Sequence, residues 1–227
     1  MKLSVVIAEA GLELVPREIQ KTPAVVKDAA RRGLEPQAIL LDRSFHHSAM
    51  SKLKEDFKRG RPDLVHTTLL SVTGSPLYLE GRAMVCVHCH GDVVIEFEPG
   101  TRIPKSYFRF RGLAEQALSE GGAAGLVRVY RSNFGDLISK RLEADKAWGL
   151  SVQGRQCSLE DLASEMVAHE RPCAVIGGFP HGHFSAQVLQ VCDDLVRIHA
   201  RPLEAHVVAS RLVYEVEKQS SILSSSA

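Results

Sequence analysis

Short β-branched runs alternate along this chain with longer stretches whose apolar residues recur every three or four positions. Residues 3–8 form an apolar run broken only by Ser4, the pattern of a buried strand. Residues 23–32 predict a helix stopped by Gly33, 39–41 a second strand and 47–57 another helix. Residues 64–72 predict a helix entered through Pro62, a residue suited to a first helical turn. Residues 85–89 and 93–97 flank Gly91-Asp92 and predict a hairpin or two neighbouring strands. Residues 106–120 predict a helix that ends at Gly121-Gly122. In the last third, 126–130, 147–152, 173–176 and 195–199 predict short strands separated by helical stretches, and 203–217 predict a closing helix.

This alternation predicts an α/β fold, a mostly parallel sheet with helices on both faces. Ligands of such sheets bind outside the carboxyl ends of the strands. That rule singles out 151–154, 177–182 and 199–202. Without repeats or a long linker, 1–218 is expected to be a single domain, followed by a flexible Ser-rich tail at 219–227.

Composition narrows the picture only slightly. A chain of 227 residues with 44% hydrophobic and 24% charged residues is long enough to bury a real core. A net charge of +1 means that any nucleic-acid surface must come from local clustering. The five cysteines, Cys86, Cys89, Cys157, Cys173 and Cys192, are odd in number and lie mostly in apolar runs, so they are expected to be reduced, buried thiols in a cytoplasmic protein. No signal peptide or membrane span is expected, since the first apolar run is too short for either.

Three segments carry candidate chemistry. Ile176-Gly177-Gly178-Phe179-Pro180-His181-Gly182 lets the backbone approach a ligand closely, and without a following lysine it does not fit a nucleoside triphosphate. Residues 101–111 carry Arg102, Lys105, Arg109 and Arg111 with no acidic residue, and Tyr107, Phe108 and Phe110 are interleaved. The spacing of Arg102, Lys105 and Arg109 would put them on one helix face able to track phosphates, with Phe108 and Phe110 expected in the core. A second cluster comprises Lys52, Lys54, Lys58, Arg59 and Arg61, and within it Asp63 can orient the Arg61 guanidinium across Pro62. Cys86-Val87-His88-Cys89-His90 suggests half a zinc site, but no second Cys/His pair lies at a matching distance, so no metal is expected.

In order, Arg59-Gly60-Arg61-Pro62-Asp63-Leu64-Val65-His66, Thr101-Arg102-Ile103-Pro104-Lys105-Ser106-Tyr107-Phe108-Arg109-Phe110 and the glycine segment resemble one family. It comprises small-subunit ribosomal RNA methyltransferases of the SPOUT class, which modify N1 of a pseudouridine and take part in ribosome biogenesis. The resemblance covers nearly the whole chain. It implies a C-terminal trefoil knot, S-adenosylmethionine bound in that knot, a homodimer, and a family-specific insertion around 43–112. Gly177 and Gly182 would line the cofactor, together with Ser151 and the run Ile198, His199, Ala200, Arg201, Pro202 and Leu203. Arg61, Arg102, Lys105 and Arg109 match RNA-contacting positions, and Asp63 matches the residue that steadies Arg61. A lysine at 105, where an arginine would give a bidentate fork, keeps only the charge.

The implied reaction is direct methyl transfer, in which positioning of both partners supplies much of the rate. No clear general base stands out. Asp63 tied to Arg61 is expected to be a weak one, so both catalytic candidates take positioning and electrostatic roles. Two alternatives are a non-catalytic rRNA-binding assembly factor and a SPOUT ribose 2′-O-methyltransferase.

Overall fold

A computed structural model describes residues 1–123 and 125–222. Its centre is β1 (Leu3–Ala10), whose alternate side chains feed two separate cores. Leu3, Val5 and Ile7 point into one core, and Val6 and Ala8 point into the other. This explains why the run has no polar face: both sides of the strand are covered.

The remaining elements are α1 (Pro23–Arg32), α2 (Arg43–Met50), α3 (Pro62–Thr73), α4 (Pro76–Leu79), β2 (Ala83–Cys89), β3 (Val93–Phe97) and α5 (Tyr107–Glu120). After them come β4 (Gly122–Ala123), β5 (Val127–Arg131), α6 (Phe134–Asp136), β6 (Lys146–Gln156), α7 (Leu159–Val167), β7 (Pro172–Gly177), α8 (Ala186–Leu189), β8 (Asp194–Arg197) and α9 (Ala205–Gln219). The strands form an eight-stranded sheet in the order β4-β5-β3-β2-β1-β7-β6-β8. β2, β1, β7, β6 and β8 run parallel, while β3, β5 and β4 add an antiparallel flank. The larger core packs α3, α5, α7 and α9 on one face. Phe134, the following π-turn (Leu137–Arg141) and α8 cover the other face.

Several expectations hold closely. Pro62 opens α3, and Gly33 and Gly121 end α1 and α5 at φ 65° and 77°. Others need correction. Residues 39–41 do not join the sheet: Leu40 forms an isolated antiparallel bridge with Leu14, closing a satellite core of α1 and α2. The helix expected at 47–57 starts earlier, because Asp42 caps it by accepting from the Ser44 N–H. It stops at Met50, and Glu55 at φ 52° turns the chain before a 3₁₀ turn at Asp56–Lys58. The expected tail also starts too early, since α9 includes Gln219 and Ile222 is buried; residues 223–227 lie outside the described residues.

Residues 151–154 are not a loop after a strand. They are lifted out of β6, whose register against β8 slips between Leu150 and Arg155. Gly154 makes this possible, because a Cβ there would lie 2.4 Å from the Leu195 backbone.

Candidate functional site

The carboxyl ends of β7 and β8 and the lifted part of β6 enclose a cavity of about 360 Å³, the size of a small-molecule site. Leu150, Ile176, Val196, Ile198, Leu203 and Val208 give it apolar walls, and 177 and 179–184 form one side. Arg197 and Arg201 are the fully charged side chains in its lining, which contains no lysine and no carboxylate. The apolar walls suit a nucleoside, and the two arginines without a carboxylate beside them suit an anionic group carried by it. Of the residues expected to hold a cofactor, Ser151, Gly177, Gly182, Ile198, His199, Arg201, Pro202 and Leu203 all line this cavity. Ala200 does not. The Arg201 N–H donates to His199 Nδ1 over 3.1 Å, and Ala200 is exposed at the apex of that turn.

The 177–185 loop is held by contacts that the sequence did not signal. Gly178 N–H donates to Ala8 O (2.7 Å) and Gly11 N–H to Gly178 O (3.0 Å), so the loop is laced to the exit of β1. A Cβ on Gly178 would lie 2.7 Å from Ile7 Cγ2 and 2.8 Å from Ala10 Cα. Glu9, in the left-handed region at φ 51°, accepts the Ser185 N–H through Oε1 and the Lys58 ammonium through Oε2. Lys58 also sits 4.7 Å from the Phe179 ring centroid, and Phe179 meets Phe184 edge to face. The histidines His181 and His183 line the cavity too.

On the same side of the molecule, Arg61 caps α3 and donates twice to Asp63, at 2.8 and 2.9 Å. This bond, chiefly, raises the Arg61 pKa, and the charges of Asp63 and Glu204 add to it. Burial alone would push the Asp63 carboxyl up, but its bonds to Arg61 and the local backbone outweigh burial and hold it below the usual range. Glu204 directly follows the cavity-lining Leu203, so the charge pair adjoins the cavity. Gly60 at φ 70°, tight against Met50, and the Arg61 N–H bond to Gly11 O (3.0 Å) fix the chain ahead of Arg61.

Arg102, Lys105 and Arg109 are all exposed, but the shared helix face expected for them is absent. α5 begins only at Tyr107, because Pro104 disfavours a helical conformation just before it and 101–106 form no regular element. His66 on α3 meets Pro104 O at 2.7 Å and stacks on Phe110 at 4.5 Å. Tyr107 donates to Asp42 Oδ2 over 2.5 Å, so the basic segment is tied to both α2 and α3. Phe110 is buried as expected, but Phe108 is not: it is 69% exposed. The cluster at 52–61 is also divided. Lys58 pairs with Glu9, and Arg59, itself buried, donates twice to Glu13 at 2.7 and 2.6 Å, while Lys52 and Lys54 are exposed and Arg61 stands half-buried beside the cavity.

Cys86 and Cys89 are buried, and burial raises the Cys86 thiol pKa to about 12. His88 meets Asp92 at 3.2 Å and packs edge-on against Phe134. Among the described residues no group of three or more His, Cys, Asp or Glu is arranged to hold a metal, and no helix is long and apolar enough to cross a membrane.

The family described as EMG1/NEP1 methyltransferase matches residues 5–217. A relative from Staphylothermus marinus, "Ribosomal RNA small subunit methyltransferase Nep1", is 37% identical over 97% of both chains. A protein of the same name from Pyrobaculum arsenaticum is 39% identical over 96% of this chain and 99% of its own. Among solved structures, Archaeoglobus fulgidus Nep1 bound to S-adenosylhomocysteine superposes with a TM-score of 0.86 at 33% identity, covering 97% of this chain and all of the other.

Proposed function

The chain belongs to the EMG1/NEP1 methyltransferase family, and from that membership we propose that it transfers the methyl group of S-adenosylmethionine to N1 of a pseudouridine in small-subunit ribosomal RNA. It does so in the cytoplasm, as a homodimer, in the course of ribosome biogenesis. One observation carries this reading: the cavity closed by 151–152, 177, 179–184, 198–199 and 201–203 adjoins the Arg61–Asp63 pair at the start of α3, and the segment 101–111 with its exposed cations is tied to the same helix through His66. A small-molecule pocket therefore adjoins a polyanion surface. The trefoil threading of the C-terminal segment is part of the same proposal.

The residues fit the cofactor. Apolar walls suit an adenosyl group, and backbone groups brought in by Gly177 and Gly182 supply hydrogen bonds. When bound, the cofactor supplies an activated methyl group. The protein's share is positional. Arg61, oriented by Asp63 as a fixed fork, holds the RNA and stabilises negative charge developing on the target base. Asp63, held below the usual carboxylate range, stays ionised and orients the arginine rather than taking the N1 proton. Arg102, Lys105 and Arg109 meet the phosphates.

The test is methyl transfer from labelled cofactor to a small-subunit rRNA hairpin carrying either uridine or pseudouridine at the loop position. Transfer to the pseudouridine hairpin alone is expected. Transfer to both would make this a ribose methyltransferase, and tight binding without transfer would make it an assembly factor.

A further inference from the structure

Phe108 is the feature that the reaction does not explain. It is the second residue of α5 and 69% exposed, while its neighbours Tyr107 and Phe110 are anchored inside. A single exposed apolar side chain is ordinary, and Leu79 is exposed as far; what sets Phe108 apart is the surface around its ring. Lys105, Ser106 and Arg109 beside the ring are exposed, and 101–111 contain no carboxylate. The Arg111 guanidinium lies 5.3 Å from the ring centroid, and among the described residues no group satisfies its buried Nε. One turn on, Gly112 leaves open space: a Cβ there would meet nothing within 4 Å. The result is a flat aromatic face, backed by a cation and unobstructed along the helix, within a basic strip.

We propose that Phe108 is a base-stacking residue: it receives an unpaired base of the RNA flanking the methylated nucleotide, with Arg111 behind the ring and Lys105 and Arg109 on the adjoining phosphates. An unpaired base offers the two things that this surface complements, a planar face for the ring and a polyanionic backbone for the cations. Tyr107 fixes the direction of approach. Its hydroxyl is held by Asp42 at the start of α2, and Asp63 lies near it, so the helix start that bears Phe108 is fixed close to the Arg61–Asp63 pair. The contact holds a nucleotide that flanks the target without reading its edge, because every base has a stacking face. The inference rests on the rRNA methyltransferase reading and adds a substrate-positioning contact to it.

The experiment uses the full chain and a small-subunit rRNA hairpin with 2-aminopurine at each loop position flanking the target, read by fluorescence and by anisotropy over a range of salt. Phe108→Ala is expected to weaken hairpin binding on the order of 10- to 100-fold. The dependence on salt should stay that of the wild type, since no phosphate contact is lost. Phe108→Trp should restore affinity, and one flanking 2-aminopurine should be quenched by the wild type and by Phe108→Trp but not by Phe108→Ala. Cofactor affinity, measured by calorimetry in the same preparations, should not move. Binding by Phe108→Ala within twofold of wild type overturns the proposal. So does a change of oligomeric state in Phe108→Ala by light scattering, which would make the ring a contact between two copies of the chain. If wild type itself fails to bind the hairpin, the rRNA reading falls and this inference with it; binding and transfer by wild type with an indifferent Phe108→Ala sink the stacking contact alone.

Discussion

Lys58 Nζ lies 2.6 Å from Glu9 Oε2, and through that pair the cofactor loop and the segment leading to Arg61 share one anchor. Glu9 grips the loop at the Ser185 N–H, and Lys58 stands over Phe179 while its own chain continues to Arg61. The side chains are 10% and 12% exposed, so removing one partner leaves a nearly buried charge. Breaking a fully buried pair costs roughly 3–5 kcal/mol, and the residual exposure places this one near the lower end. Lys58→Met is therefore expected to lose about 2–3 kcal/mol in urea unfolding, and to bind S-adenosylhomocysteine several-fold more weakly by calorimetry. Lys58→Arg should keep most of both. Wild-type stability and affinity in Lys58→Met would show that the anchor holds nothing.

The Arg61–Asp63 pair should give a pH signature. Asp63 has a folded pKa below its unfolded value, so its contribution is present above the unfolded pKa and is lost as pH falls through the folded one. The pair is largely exposed, which limits the contribution to under about 1 kcal/mol. Wild type should exceed Asp63→Asn in Tm near neutrality, and the gap should close as pH drops below about 4. At neutral pH, Asp63→Asn should loosen RNA binding or the dimer while cofactor affinity holds. Collapse of cofactor affinity alone would refute the role given to Asp63.

What the chain made legible follows from how local each signal is. The central strands and the caps at Gly33, Gly121 and Pro62 come from side-chain patterning and backbone preference within a few residues, and they stand where the pattern put them. Two of the segments that line the cavity, 177–182 and 199–202, follow from the rule that strand ends face ligands in parallel sheets, which needs only the order of elements, whereas 151–152 line it from within β6. Contacts between distant segments were not legible. Nothing near Glu9 in sequence announces Lys58 or Ser185, and Arg59 looks as free as Arg61 until Glu13 folds against it. The lifted residues in β6 depend on how Gly154 packs against Leu195, which no local pattern encodes. Phe108 was misread because aromatic residues in a helix usually face the core, and here the helix start is already anchored by Tyr107 and Phe110.

The glycine loop yields a further expectation. Gly177 and Gly182 drew notice as ligand-facing, but Gly178 is the one locked by backbone. A methyl group there meets Ile7 and the Ala10 backbone of the central strand, which has no room to yield. Gly178→Ala should lose about 1–3 kcal/mol in urea unfolding, as overpacking of a filled site does. Gly182, at φ 102°, holds a backbone conformation that a side chain strains and faces Phe57 and the anchored Lys58, so Gly182→Ala should lose cofactor affinity in addition to stability, whereas Gly178→Ala should show mainly the loss of stability. The reverse ranking in paired unfolding and calorimetry would mean that the two glycines have exchanged roles.

The last prediction separates exposed cations from those used internally. Among the described residues none gives the side chains of Arg102, Lys105 or Arg109 a hydrogen-bond or ion-pair partner, whereas Arg59 holds Glu13 with two bonds. A phosphate contact shows in the salt dependence of RNA affinity, by about 0.7 in slope for each contact to a single strand. Arg102→Ala should lower the slope by about that amount while leaving unfolding free energy within about 0.5 kcal/mol of wild type, the usual range for a surface change. Arg59→Ala should do the opposite, leaving the slope unchanged and destabilising the fold, because it strands Glu13. Anisotropy titrations of the hairpin at four or more salt concentrations, paired with urea unfolding of each variant, measure both quantities. An unchanged slope in Arg102→Ala would remove that residue from the RNA surface. A reduced slope in an equally stable Arg59→Ala would mean that the Glu13 bonds open when RNA arrives.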